Sequence, residues 1–246
     1  MPRIPHLQFP GRAGASGQGT LVVMLPGVSS PPQEFVEAGF VSALAAVAPG
    51  ASAHVLDSHY GYYEDGSILA RLHEEQVLPA RAAGFSRIWL VGISLGGFGA
   101  LGYLTRYPQS VEGVLALAPY LGPASLQREI VAAGGPGAWA AARPPPDDPR
   151  MLGHALWHRL ALASAPVASD SAAGAEVHLG YGESDRFAHG HRLLSPLLPP
   201  ERVQTAAGGH DWPVWSALWQ GWLGGGGRER LIGVDARARA AAGSPR

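Results

Sequence analysis

The chain has 246 residues, with Lys+Arg 18 against Asp+Glu 19 and a formal charge of −1, and every basic residue is an arginine. Lysine, cysteine and asparagine do not occur in it. Their absence excludes Schiff-base and pyridoxal chemistry, phosphate-loop nucleotide hydrolysis, thiolate nucleophiles, cysteine-ligated zinc or iron–sulfur centres, and disulfides. Any catalysis must therefore rest on Ser, Thr, His, Asp, Glu, Tyr or Arg.

A 46% hydrophobic share with 15% charged residues suffices for a buried core. A near-neutral charge without a basic cluster gives no footprint for nucleic acid. No apolar run approaches the ~18 residues that span a bilayer, and the N-terminal segment has basic residues without the apolar stretch of a secretory signal. The expectation is a cytoplasmic protein with no membrane partner; the sequence leaves its oligomeric state open.

In chain order, residues 1–19 are rich in Gly, Pro and Ala without a period and read as an extended or mobile arm. Thr20–Leu25 (TLVVML), stopped by Pro26-Gly27, is a continuous β-branched run suited to a strand buried on both faces. A helix is expected at 33–47, a strand at 53–57, then an aromatic loop holding Tyr60, Tyr62 and Tyr63, and a helix at 66–83. Ser86–Gly92 is the next strand, Leu95–Arg106 a helix, and Gly113–Ala118 another buried strand ended by Pro119. Strands alternating with helices in this way make a mostly parallel sheet of the α/β class.

The rhythm breaks at about 120–173, where helical patches are separated by GGPG and PPPDDP, and a long insertion of this kind reads as a lid or cap. It resumes with a strand at 175–180, a helix at about 189–198, a short strand at 201–206, a Gly-Gly-His turn and a tryptophan-rich helix at 211–223. The expected organisation is an arm at 1–19, one domain at 20–223 with the insertion as its cap, and a flexible or weakly helical tail at 224–246.

Gly92-Ile93-Ser94-Leu95-Gly96 falls between a strand and a helix. A turn there forces the central serine into a strained conformation that only small neighbours allow, and its hydroxyl becomes exposed for nucleophilic attack. Such a serine needs a histidine base held by a carboxylate, in the chain order Ser, acid, His. Of the ten histidines, His6, His54, His59 and His73 precede the serine. His154 and His158 have an i,i+4 metal-ligand spacing but no intervening acid, and are read as a partly exposed cap face; His189 and His191 form a second weak metal pattern, and His178 falls within a strand. His210, opening the last helix after a short strand, is where this topology delivers a base. Asp185 follows a strand end and is the expected acid, with Glu183 its rival; Asp147, Asp148 and Asp170 fall in the insertion. Asp211 is better placed to stabilise the N-terminus of the last helix. The oxyanion would be met by the backbone N–H groups of Leu95 and, from the loop after the first strand, Val28. Trp139, Trp157 and the three loop tyrosines are candidates to line an apolar acyl or alcohol pocket, with core packing the commoner role for each tryptophan taken singly.

Over about 20–223 the chain resembles the α/β-hydrolase superfamily, through the strand ending in Pro-Gly, GISLGG, GESDRF and GGHDWPVW. Gly92–Leu101 and Gly208–Trp215 look like the branch that holds bacterial carboxylesterases and feruloyl- or enterochelin-type esterases. The resemblance implies the triad Ser94, Asp185 and His210, a small-molecule ester or thioester substrate, two-step acyl transfer, and no metal or organic cofactor. One departure is Pro26-Gly27 where many relatives have His-Gly. Thioesterase, amidase, peptidase or acyltransferase activity on the same machinery, or a non-catalytic binding protein, are the competing classes.

Overall fold

The apolar runs bounded by Pro and Gly form a seven-stranded sheet. In the computed structural model, which describes residues 3–163 and 174–233, the strands are β1 (His6–Phe9), β2 (Thr20–Leu25), β3 (Ser52–Leu56), β4 (Arg87–Ile93), β5 (Gly113–Leu117), β6 (Glu176–Gly182) and β7 (Val203–Ala206). Their order across the sheet is β1-β3-β2-β4-β5-β6-β7. Neighbours pair in parallel except β1, which runs antiparallel to β3. From β2 the chain moves outward to β3 and then crosses back to β4 on β2's other side. Loops leaving the carboxyl ends of β2 and β4 therefore part in opposite directions, and the crevice they leave is where sites form in open α/β sheets.

Every residue of β2 is buried, because helices cover both faces. Alternate residues divide between two apolar layers. Leu21, Val23, Leu25, Ile88 and Leu90 face one side with Leu101, Trp139 and Trp157. Val22, Met24, Trp89, Val91 and Leu117 face the other with Phe40, Trp219 and Trp222. The flanking helices that matter below are α1 (Phe40–Val47), α2 (Leu95–Arg106), α3 (Ala124–Ala132), α4 (Pro136–Ala141), α5 (Leu152–Ala163), α6 (Ala188–Leu194) and α7 (Trp212–Trp222). Among the described residues no helix is long and apolar enough to cross a membrane.

Several expectations are revised. The first nineteen residues contribute β1, because Leu7 and Phe9 find the apolar layer and Ile4 is buried beside it. The helix expected at 33–47 is cut at Gly39, whose φ of 80° interrupts the ladder, leaving Gln33–Glu37 and α1. The helix at 66–83 holds a π turn, His73–Val77, next to Pro79, which lacks the N–H needed for an ordinary ladder. After the glycine run, Arg228–Ile232 is helical, Leu231 is buried, and its carbonyl accepts the Thr20 hydroxyl at 2.6 Å. The remainder of the expected tail, from 234, and residues 164–173 of the expected cap, including Asp170, lie outside the described residues.

The insertion departs most from expectation. Its helices α3 to α5 join the apolar layer that contains α2. Trp139 and Trp157 are 0% exposed, and their indole N–H groups donate to Glu129 Oε1 at 3.0 Å and to the Leu121 carbonyl at 2.9 Å. Both tryptophans thus serve packing rather than a substrate pocket, since each ring is fully desolvated with its polar atom satisfied. His158 is likewise buried, its ring 4.7 Å from that of Trp139, while His154 is half-buried, so only His154 lies on the partly exposed face expected of the pair.

Candidate active site

Ser94 joins β4 to α2 with φ 53° and ψ −112°. A left-handed conformation at a serine costs about 1–3 kcal/mol and persists only when its surroundings fix it. Here the Ser94 N–H donates to the Leu117 carbonyl at 3.0 Å, and the Ser94 carbonyl accepts from Phe98 at 3.0 Å and Tyr120 at 2.9 Å. Gly96 packs so closely on β2's end that a Cβ would overlap the Leu25 carbonyl, and a Cβ on Gly97 would lie 3.0 Å from Pro119. The tight turn therefore requires both glycines.

His210 comes from the turn between β7 and α7, and its Nε2 lies 3.0 Å from Ser94 Oγ. Its Nδ1 lies 2.8 Å from Asp185 Oδ2. The loop after β6 that carries Asp185 is pinned to the histidine turn: Ser184 N–H donates to the Gly208 carbonyl at 2.9 Å, and Gly182 lies against Gly208 and Gly209 with no room for a side chain. The second Asp185 oxygen accepts the Phe187 N–H at 2.7 Å. Burial pushes the Asp185 carboxyl upward, but the bonds from His210 and Phe187 outweigh it and hold the group below the usual carboxylate value. An ionised carboxylate at Nδ1 keeps the proton on that nitrogen and leaves Nε2 free to accept one from serine. Phe187 and Trp215 meet the imidazole edge-on at centroid distances of 5.1 and 5.0 Å, fixing its plane.

Strand β2 ends in the loop Pro26–Ser30, where the Ser30 N–H donates to the Gly27 carbonyl at 3.2 Å and Ser29 has φ 61°. Gly27 stands against the serine: a Cβ on it would be 3.5 Å from Ser94 Cβ. Among the described residues neither Val28 N–H nor Leu95 N–H donates to another group. Both are backbone donors in segments adjoining Ser94.

Residues 73–221 match the Esterase family model. The chain belongs to the Esterase family. This esterase is thus a carboxylesterase-like enzyme, and its sheet is that of the α/β-hydrolase fold. Among solved structures it is similar to FphF, the fluorophosphonate-binding serine hydrolase F of Staphylococcus aureus (TM-score 0.62, 11% identity, covering 94% of this chain and 99% of that one). Est1E from Butyrivibrio proteoclasticus is also similar (0.57, 12%, 89% and 92%), as is the S-formylglutathione hydrolase FrmB of Staphylococcus aureus (0.56, 12%, 89% and 83%). No curated protein matches the sequence.

The other residues singled out in the esterase's sequence lie as follows. Glu183 is exposed and meets Thr205 Oγ1 at 3.4 Å, away from His210. Asp211 caps α7 by accepting the Val214 N–H at 3.1 Å. His178 is buried with its Nε2 3.0 Å from Glu176. Among the described residues no group of three or more His, Asp or Glu is arranged to hold a metal ion. Of the three tyrosines, Tyr60 lines the cavity beside β2's loop. Tyr62 lies under the Arg71 guanidinium at 4.2 Å, and Tyr63 packs its hydroxyl against Gly99 of α2.

Sequence reasoning missed three features. Tyr120, just past the end of β5, bridges Phe98 and Phe187 at 5.5 and 5.6 Å above the serine. His191 is fully buried with Nε2 donating to the Pro119 carbonyl at 2.8 Å, and burial lowers its pKa. A cavity of about 240 Å³ is walled by Gly27, Ser29, Ser30 and Pro31 from β2's loop and Asp57, Ser58, His59 and Tyr60 from β3's. Position at the carboxyl ends of parallel strands was the available signal for the cavity residues and Tyr120.

Proposed function

We propose that Ser94 is the nucleophile of a small-ester hydrolase, with His210 its base and Asp185 the group that orients and charges the imidazole. One observation carries the reading: the unbroken chain Ser94 Oγ to His210 Nε2 at 3.0 Å and His210 Nδ1 to Asp185 Oδ2 at 2.8 Å. Ser94 Oγ attacks the ester carbonyl carbon while its proton moves to His210 Nε2. The carbonyl electrons shift to oxygen, where the N–H groups of Val28 and Leu95 meet the negative charge. Collapse of the tetrahedral adduct expels the alcohol, which takes the proton back from His210, and leaves an acyl-Ser94 ester. Water, deprotonated by His210, then attacks the same carbonyl carbon and releases the acid, restoring the serine. Each step uses groups of the chain and water, so the reaction calls for no metal or organic cofactor.

The test is hydrolysis of p-nitrophenyl acetate and butyrate by the native protein and by Ser94→Ala, together with labelling by a fluorophosphonate probe. Loss of both turnover and label in Ser94→Ala, with an unchanged melting temperature, is the expected result. Equal turnover by the two proteins would sink the reading.

A further inference from the structure

The loops that carry Asp185 and His210 follow β6 and β7, on one side of Ser94 in the sheet order; the cavity walls follow β2 and β3, on the other. The leaving group of an ester must lie toward His210, which returns a proton to it. The cavity, reached past Gly27 beside Ser94, therefore faces the acyl group.

Its wall has one formal charge. The Asp57 carboxylate has no ion pair and no side-chain hydrogen bond among the described residues, and the cavity wall contains no arginine. Around it stand the hydroxyls of Ser29, Ser30 and Ser58. Ser58 is 6% exposed, and its buried Oγ faces the buried Tyr63 hydroxyl. His59 Nδ1 accepts the Gly61 N–H at 3.0 Å, so its other nitrogen carries the ring proton in the neutral form. About 240 Å³ corresponds to roughly eight water volumes, room for an acyl group of some seven to nine heavy atoms.

We infer that the cavity beside Ser94 is an acyl pocket selecting a short acyl chain that bears a positive charge, with Asp57 its counter-charge. The inference rests on the role proposed for Ser94. An anionic acyl chain is disfavoured there, because the wall offers no cation to meet it.

The probes are p-nitrophenyl 4-(trimethylammonio)butanoate and its neutral isostere p-nitrophenyl 5,5-dimethylhexanoate, each kcat/KM being divided by that ester's rate with hydroxide. Asp57 is exposed, so the native protein is expected to prefer the cationic ester by about 2- to 5-fold at low salt, the scale of one solvated charge pair. In Asp57→Asn the ratio should fall to about one, and Asp57→Glu should restore part of it. Raising the salt to roughly 0.5 M should erode the native preference, a readout independent of whether any variant folds. No preference in the native protein, a preference indifferent to salt, or one retained in Asp57→Asn overturns the inference. Ser94-dependent hydrolysis of the neutral ester without a cation preference refutes only the pocket assignment, whereas absence of Ser94-dependent hydrolysis of either ester refutes the catalytic role on which it stands.

Discussion

Gly96→Ala puts a methyl group where α2 meets the end of β2. The added Cβ would sit 2.5 Å from the Leu25 carbonyl carbon and 2.5 Å from the Pro26 oxygen, whereas ordinary contact begins at 3.4 Å. The Leu25 oxygen would be closer still, so more than about 0.9 Å of movement is required between two pieces of backbone, neither of which has a flexible end to swing aside. Leu25 is held in the middle of the sheet by its register with Gly92, so the yielding part is the segment Pro26–Val28 or the first turn of α2. Those segments carry the two proposed oxyanion donors. Displacement of a catalytic group by about 1 Å costs on the order of 10²-fold, and loss of one oxyanion donor about 10²–10³-fold in kcat. The fold itself should lose about 1–3 kcal/mol, the usual cost of overpacking. Steady-state kinetics with p-nitrophenyl acetate, beside thermal unfolding, separate the two effects. The expected outcome is a kcat lower by at least about 10²-fold with KM changed much less, in a protein still folded at the assay temperature. A Gly96→Ala protein with native kcat would refute the argument that close approach at this point sets the oxyanion geometry.

Asp185→Asn should lower kcat by about 10⁴-fold, as loss of the orienting carboxylate does in serine triads, while Glu183→Gln stays near native; the reverse pattern would move the acid to Glu183. Trp157→Phe removes the donor to the Leu121 carbonyl and should cost about 1–3 kcal/mol by chemical denaturation with kcat/KM for p-nitrophenyl acetate little changed. Lost activity at native stability would instead mean that Trp157 meets substrate. His158, His178 and His191 are buried, and burial holds each below the ordinary histidine pKa. Because the unfolded chain takes up these protons first, stability is full above about pH 6.5 and falls below it, by about 1.4 kcal/mol per pH unit for each proton so withheld. The melting temperature should drop between pH 7.5 and 5, and His191→Gln should shallow that slope; a flat profile would contradict the neutral buried state.

The parts of the molecule legible in the sequence are those where a local pattern matches a long-range requirement. TLVVML can only be a strand covered on both faces, and GISLGG between a strand and a helix can only be a sharp turn with a serine at its apex. Asp185 and His210 follow from chain order and strand ends, and in the fold His210 meets Ser94 while Asp185 meets His210. What escaped depends on partners distant in sequence. Leu7 and Phe9 looked like apolar residues stranded among Gly and Pro until β3 gave them an edge to pair with. The break at Gly39 and the π turn before Pro79 are backbone adjustments that a helical period does not register. For Trp139 and Trp157 an insertion of irregular spacing leaves pocket and core both open, and packing on α2 settles the choice for the core. Asp57 and Ser58 were hidden for the opposite reason: the tyrosines beside them are the more conspicuous chemistry, but Tyr62 and Tyr63 turn inward.

The stretch Leu117–Tyr120 at the end of β5 touches almost everything on the acid–base side. It receives the Ser94 N–H, donates to the Ser94 carbonyl, packs Pro119 on Gly97 and accepts the His191 ring N–H. The loops after β2 and β3 that form the cavity make none of these bonds to it. This separation makes the molecule modular: the exposed residues Asp57, His59 and Tyr60 offer a site for directed evolution of substrate range, while the segment around Pro119 works as a keystone that such changes leave in place. Variation in relatives with new specificities should accordingly concentrate in the β3 loop, with the end of β5 the last part of the site to drift.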